Sequence, residues 1–82
     1  MYTELSASMM CADYANLERE VRSLEQGGID SFHIDIMDGQ FVPNFCIGIQ
    51  DLKCIRRLTD KPVEVHLMIQ RPLSYLKVFI AA

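Results

Sequence analysis

Phe32-His33-Ile34-Asp35-Ile36-Met37 alternates apolar and polar residues, and the turn pair Asp38-Gly39 follows it at once. A period of two places Phe32, Ile34 and Ile36 on one face of an extended strand and His33, Asp35 and Met37 on the other. Strands buried on both faces of a parallel sheet are apolar almost throughout, so this one has a helix-covered face and a polar face. Two further runs share the alternation: Leu5-Ser6-Ala7-Ser8-Met9 before it and Val63-Glu64-Val65-His66-Leu67-Met68 after it.

Between these runs the period lengthens. From Asp13 to Gln26, Tyr14, Leu17, Val21 and Leu24 form a helical stripe opposite Glu18, Arg19, Glu20, Arg22 and Glu25; Asp13 suits the N-cap and Gly27-Gly28 the stop. Asp38 to Asn44 reads as a loop, and Ile49, Leu52, Ile55 and Leu58 mark a second helix, closed by Lys61-Pro62. Pro72 opens a third, with Leu73, Leu76 and Phe79 or Ile80 on one face, running to Ala82 without a C-cap signal.

Strands and helices alternating at intervals of about 30 residues predict right-handed βαβ units on a parallel sheet, an α/β fold. If Leu5, Ala7, Phe32, Ile34, Ile36, Val63, Val65 and Leu67 face the helices, then Ser6, Ser8, His33, Asp35, Met37, Glu64, His66 and Met68 point together, as in a barrel lumen. A TIM (β/α)8 barrel needs about 250 residues, or about 200 at the small end. The 82 residues are therefore expected to be its N-terminal three βα units, an incomplete barrel forming one partial domain over 1–82. No GxGxxG turn follows the first strand, which removes the basis for a dinucleotide site.

Composition narrows the functional classes. Hydrophobic residues make up 50% and charged residues 23%, with a formal net charge of −3, as in a weakly acidic soluble domain. The eight Lys and Arg form no cluster, so neither nucleic acid nor an anionic membrane is an expected partner. No apolar run approaches the roughly 20 residues of a membrane span. Cys11, Cys46 and Cys54 are odd in number, lack CxxC spacing and follow no charged-then-apolar leader; with Met1-Tyr2-Thr3-Glu4 as a mature start, they predict a reducing, cytoplasmic setting and thiols that act as small buried hydrophobes. A chain this short buries only about 60–65% of its unfolded surface and has little stability in reserve.

His33 and Asp35, at i and i+2, leave one strand on the same face about 6.5–7 Å apart along the backbone, a span one metal ion can bridge. His66 sits at the equivalent depth of the next strand, two residues before Met68 as Asp35 is two before Met37. A single strand histidine is more often a hydrogen-bonded interior residue than a ligand; two on one face of adjacent strands, with a carboxylate between them, point to a metal centre at a barrel mouth. Met37 and Met68 read first as packing, or as an apolar wall that excludes water. Ser8 is either a hydrogen-bond donor at the mouth or a small residue in a narrow lumen. Asp38 caps its own turn, Glu64 joins a salt bridge across the barrel floor, and Glu18-Arg22 is a solvated i,i+4 pair.

Three stretches together, Leu5-Ser6-Ala7-Ser8-Met9-Met10-Cys11-Ala12-Asp13, His33-Ile34-Asp35-Ile36-Met37-Asp38-Gly39-Gln40-Phe41-Val42-Pro43-Asn44 and Val65-His66-Leu67-Met68, closely resemble the ribulose-phosphate 3-epimerase family and its allulose-6-phosphate epimerase relatives. The resemblance spans essentially the whole chain, and its central twelve-residue block is highly specific. It implies a metal-dependent TIM barrel that inverts the carbinol carbon next to a ketose carbonyl, interconverting D-ribulose 5-phosphate and D-xylulose 5-phosphate, or acting on allulose 6-phosphate. By position, His33, Asp35 and His66 match ligands of one divalent ion (Zn, Fe(II), Mn or Co), and Asp35 also matches one of two catalytic acid/bases. Ser8, His33, His66, Met37 and Met68 match residues that contact the substrate. The family usually has Pro where this chain has Ala7, a change that removes no functional group.

The second acid/base, an Asp that is also the fourth ligand, and the glycine-rich phosphate site are implied to lie beyond Ala82. The chain alone is therefore expected to be inactive, as part of a cytoplasmic enzyme whose full-length relatives are homo-oligomers. The competing reading is a non-catalytic fragment that binds metal or pairs with another chain through open β edges and uncovered apolar helix faces.

Overall fold

The structure is a computed structural model that describes residues 4–45 and 47–82; Cys46, expected to be a buried thiol, and the first three residues, expected to be part of a mature start, lie outside the described residues. Its elements run in the expected order: β1 (Ser6–Ser8), a 3-10 turn (Tyr14–Asn16), α1 (Leu17–Gln26), β2 (Ser31–Met37), α2 (Ile49–Leu58), β3 (Val63–Met68) and α3 (Pro72–Ala81). The strands form one parallel sheet in the order β1-β2-β3. Each successive pair is joined by a helical crossover, as parallel pairing requires.

Local chemistry explains the boundaries. Asp13 does cap, but it caps the 3-10 turn, its Oδ1 accepting from Ala15 N at 3.1 Å, and α1 proper begins at Leu17. The Asn16 side-chain amide, with Ala15 N, holds the Asp13 carboxyl below the usual carboxylate range. Gly28, at φ +89°, ends α1 as Gly27 N donates to Ser23 O and Gly28 N to Glu25 O. At the end of α2, Arg56 donates to Thr59 O and Lys61 O at 2.6 and 2.8 Å and closes the turn into Pro62. Pro72 supplies the first turn of α3, where its missing N–H costs nothing, and Ala82 N donates to Phe79 O at the other end.

The core lies on one side of the sheet. Phe32, Ile34 and Ile36 of β2 are buried with Met9, Val21 of α1, Leu52 and Ile55 of α2, Ile47 and Ile69. The central strand follows the expected alternation, its apolar residues buried and His33, Asp35 and Met37 partly open. The edge strands are less covered: Val63, Val65 and Leu67 are half-buried. Leu5, expected to face the helices, precedes β1 and is 55% exposed, and the fully buried Met9 at the far end of β1 fills that role. Cys11 is exposed and Cys54 half-buried, so the expected burial of the thiols fails at Cys11, which lies in the open turn after β1. On α3, Leu73, Tyr75, Leu76, Val78 and Ile80 are exposed. Among the described residues, no helix is long and apolar enough to cross a membrane.

Gly39 has φ +76°, and a Cβ placed there would collide with the ring of Phe45. The Phe45 side chain is largely exposed and can swing away, so the backbone conformation sets the cost of substitution. Gly39→Ala is expected to destabilise the chain by about 1–2 kcal/mol, read as a lower urea midpoint at an unchanged m value.

Candidate metal centre

The register places the three sequence-predicted ligands together. Asp35 of β2 pairs with His66 of β3, and His33 pairs with Ser8 on one side and Glu64 on the other. Because successive side chains alternate, all of these leave the sheet on the face opposite the core. Asp35 Oδ1 lies 2.9 Å from His33 Nε2 and 3.2 Å from His66 Nδ1. The two imidazoles meet edge to face, with ring centroids 6.1 Å apart at 66°. One donor atom from each of the three residues lies within 4.8 Å of the others.

Burial grades across the group. Asp35 is the most enclosed, with 16% of its side chain exposed, against 34% for His33 and 60% for His66. A carboxylate oxygen held between two ring nitrogens has no need of a cation while those nitrogens carry protons, because each then donates to it. With the protons displaced, the same atoms present two lone pairs and a negative oxygen at one point, a mixed N/O set suited to a borderline-soft divalent ion. The donor chemistry fits such an ion.

Met37 and Met68 form the next pair on the same face toward the C-terminal ends of the strands, both half-buried. Ser8 is exposed on the polar face level with His33, and its hydroxyl accepts from Met10 N at 3.4 Å. Among the described residues, the Glu64 carboxylate lies 3.9 Å from His33 Nδ1 on the neighbouring strand. Glu18 and Arg22 form the expected solvated pair at 2.9 Å.

Asp38 does more than the sequence suggested. Its Oδ1 accepts from Gln40 N and Phe41 N, both at 2.9 Å, which caps the turn as expected. Its Oδ2 accepts from Gln70 N at 2.8 Å and ties the loop after β2 to the loop after β3. Period and turn chemistry carry no signal for that bond, which depends on two loops meeting 32 residues apart. The Gln70 amide, followed by the turn amides, holds the Asp38 carboxyl below its ordinary value. A depressed folded-state pKa contributes stability above the unfolded value of about 3.9 that is lost as pH falls through the lower folded value. Protection of the Gln70 amide from hydrogen exchange should therefore persist at pH 5 and fall away below about pH 3.9, and Asp38→Asn should weaken it at pH 5 and above.

A model of the ribulose-phosphate 3 epimerase family matches residues 4–82. The chain is 44% identical over 79 residues to the ribulose-phosphate 3-epimerase of Bacillus subtilis (strain 168), which covers 96% of this chain and 36% of that protein. To the ribulose-phosphate 3-epimerase of Methanocaldococcus jannaschii it is 46% identical over 67 residues, 82% of this chain and 29% of the relative. To the chloroplastic ribulose-5-phosphate-3-epimerase of Arabidopsis thaliana it is 42% identical over 78 residues, 95% and 28% respectively. The chain thus spans between 28% and 36% of the length of these curated relatives.

Proposed function

The chain belongs to the ribulose-phosphate 3-epimerase family, and from that premise we propose that it supplies the first three βα units of a cytoplasmic, homo-oligomeric (β/α)8 enzyme that interconverts D-ribulose 5-phosphate and D-xylulose 5-phosphate. The observation that carries this reading is the convergence of His33, Asp35 and His66 donor atoms within 4.8 Å. These three residues would hold one divalent ion, Zn, Fe(II), Mn or Co. When bound, the ion supplies Lewis-acid stabilisation of the negative charge that develops on the substrate oxygens.

Asp35 is the proton acceptor. As the least exposed member of the group, held between two imidazoles, its carboxylate has a fixed position from which to take the C3 proton. The C–H electron pair moves toward the C2 carbonyl and gives an enediolate. A second acid, an Asp from a later strand, returns a proton to the opposite face, which inverts C3 without oxidant or reductant. Met37 and Met68 supply the apolar wall that keeps water from the planar intermediate. The Ser8 hydroxyl, on the same face as His33, donates to a substrate oxygen, and the two histidines border the same space.

An isomerase assay on the 82-residue chain is expected to show no turnover, because one proton-transfer group and the phosphate site belong to the rest of the barrel. Turnover at the level of the full-length relatives would contradict this division of labour. With the full barrel, faster turnover of allulose 6-phosphate than of ribulose 5-phosphate would reassign the substrate.

The exposed apolar residues of α3 and the half-covered β3 favour a second reading, a fragment that pairs with another chain. A monomer on size exclusion counts against it.

A further inference from the structure

Glu64 stands directly across from His33 in the β2–β3 register, with Oε2 3.9 Å from His33 Nδ1. That is charge-pair distance, longer than a hydrogen bond. The other nitrogen of the same ring, Nε2, lies 2.9 Å from Asp35 Oδ1. Both nitrogens of His33 therefore face carboxylates, but only Nε2 points into the group of candidate ligands. A neutral imidazole carries one N–H and one lone pair, and a cation held at Nε2 takes the lone pair there and leaves the proton on Nδ1. Glu64 is the carboxylate that faces that side. Among the described residues no Lys or Arg pairs with it, and no second carboxylate faces His66 in the same way.

We propose that Glu64 is a positioning residue: its carboxylate receives the Nδ1–H of His33 and holds the ring with Nε2 toward the cation. Metal-binding histidines are oriented in this way by carboxylates, carbonyls or water, and loss of such a partner costs about 10–100-fold in metal affinity. The inference rests on the metal-centre reading above.

The test uses the full chain and Zn(II) alone, with affinity measured by chelator competition and the ligated histidines followed by 15N NMR. In the wild type, Zn(II) binds and the His33 Nδ1–H resonance is protected from solvent exchange. Glu64→Ala raises the Kd by about 10–100-fold and exposes that proton to exchange. Glu64→Gln, isosteric and still an acceptor, falls between, and Glu18→Gln on the outer helix leaves the Kd unchanged. The Glu64 side chain is 59% exposed, so its truncation opens no cavity and far-UV circular dichroism should not change. Glu64→Ala binding as tightly as the wild type, an unaltered His33 Nδ1–H signal, or an equal loss in Glu18→Gln would each overturn the role of Glu64. A wild-type chain that takes up no Zn(II) overturns the metal-centre reading itself, and this inference with it.

Discussion

Asp35→Asn in the complete barrel is expected to lower kcat by about 10³-fold or more while the fold survives. The change keeps the shape of the side chain and removes two functions at once. A neutral amide cannot take a proton from C3, and general-base catalysis contributes about 10²–10⁴-fold. The amide also replaces a carboxylate oxygen that lies within 2.9–3.2 Å of two ring nitrogens, so a cation at this point would lose its carboxylate. The fold should tolerate the substitution because Asp35 projects from the polar face of β2, away from the Phe32, Ile34 and Ile36 face that holds the core. Two measurements separate these effects: exchange of the C3 hydrogen into D2O reports proton abstraction, and circular dichroism reports folding. C3 exchange at the wild-type rate would remove Asp35 from the mechanism.

Phe32→Ala has the largest expected effect on stability, about 3–5 kcal/mol. Phe32 is fully buried at the centre of the sheet, paired with Ala7 on one side and Val63 on the other, among the core residues that α1 and α2 cover. Truncation removes most of a large apolar side chain and leaves a cavity that rigid strands cannot close. A single core in a domain below about 70–80 residues rarely contributes more than about 3–5 kcal/mol, and this chain is barely longer. The variant should therefore be largely unfolded in buffer at 25 °C, as read by urea titration followed by circular dichroism. A urea midpoint within error of the wild type would mean that the core is centred elsewhere.

The parts of the fold that follow from local pattern were legible in the sequence. Strict alternation in β2 fixed which residues are buried, and matching depth on β2 and β3 was enough to bring Asp35 opposite His66. Periodicity also located α2, bounded at Ile49 and Leu58. Legibility ended where tertiary context decides. Leu5 carries the right letter for a core position but lies before β1, outside the covered area. Cys11 is a favoured core residue type in an open turn. The bond that Gln70 N donates to Asp38 depends on how two loops meet, which no pattern within one segment encodes.

In the proposed enzyme, His33, Asp35 and His66 hold one cation between them. Co(II) titration of the folded chain, followed by its visible absorption and by X-ray absorption at the metal, decides whether they do. Saturation at one ion per chain, two imidazoles among the ligands, and loss of the spectrum in both His33→Ala and His66→Ala are the expected results. A Co(II) site of undiminished affinity in either variant would show that they do not.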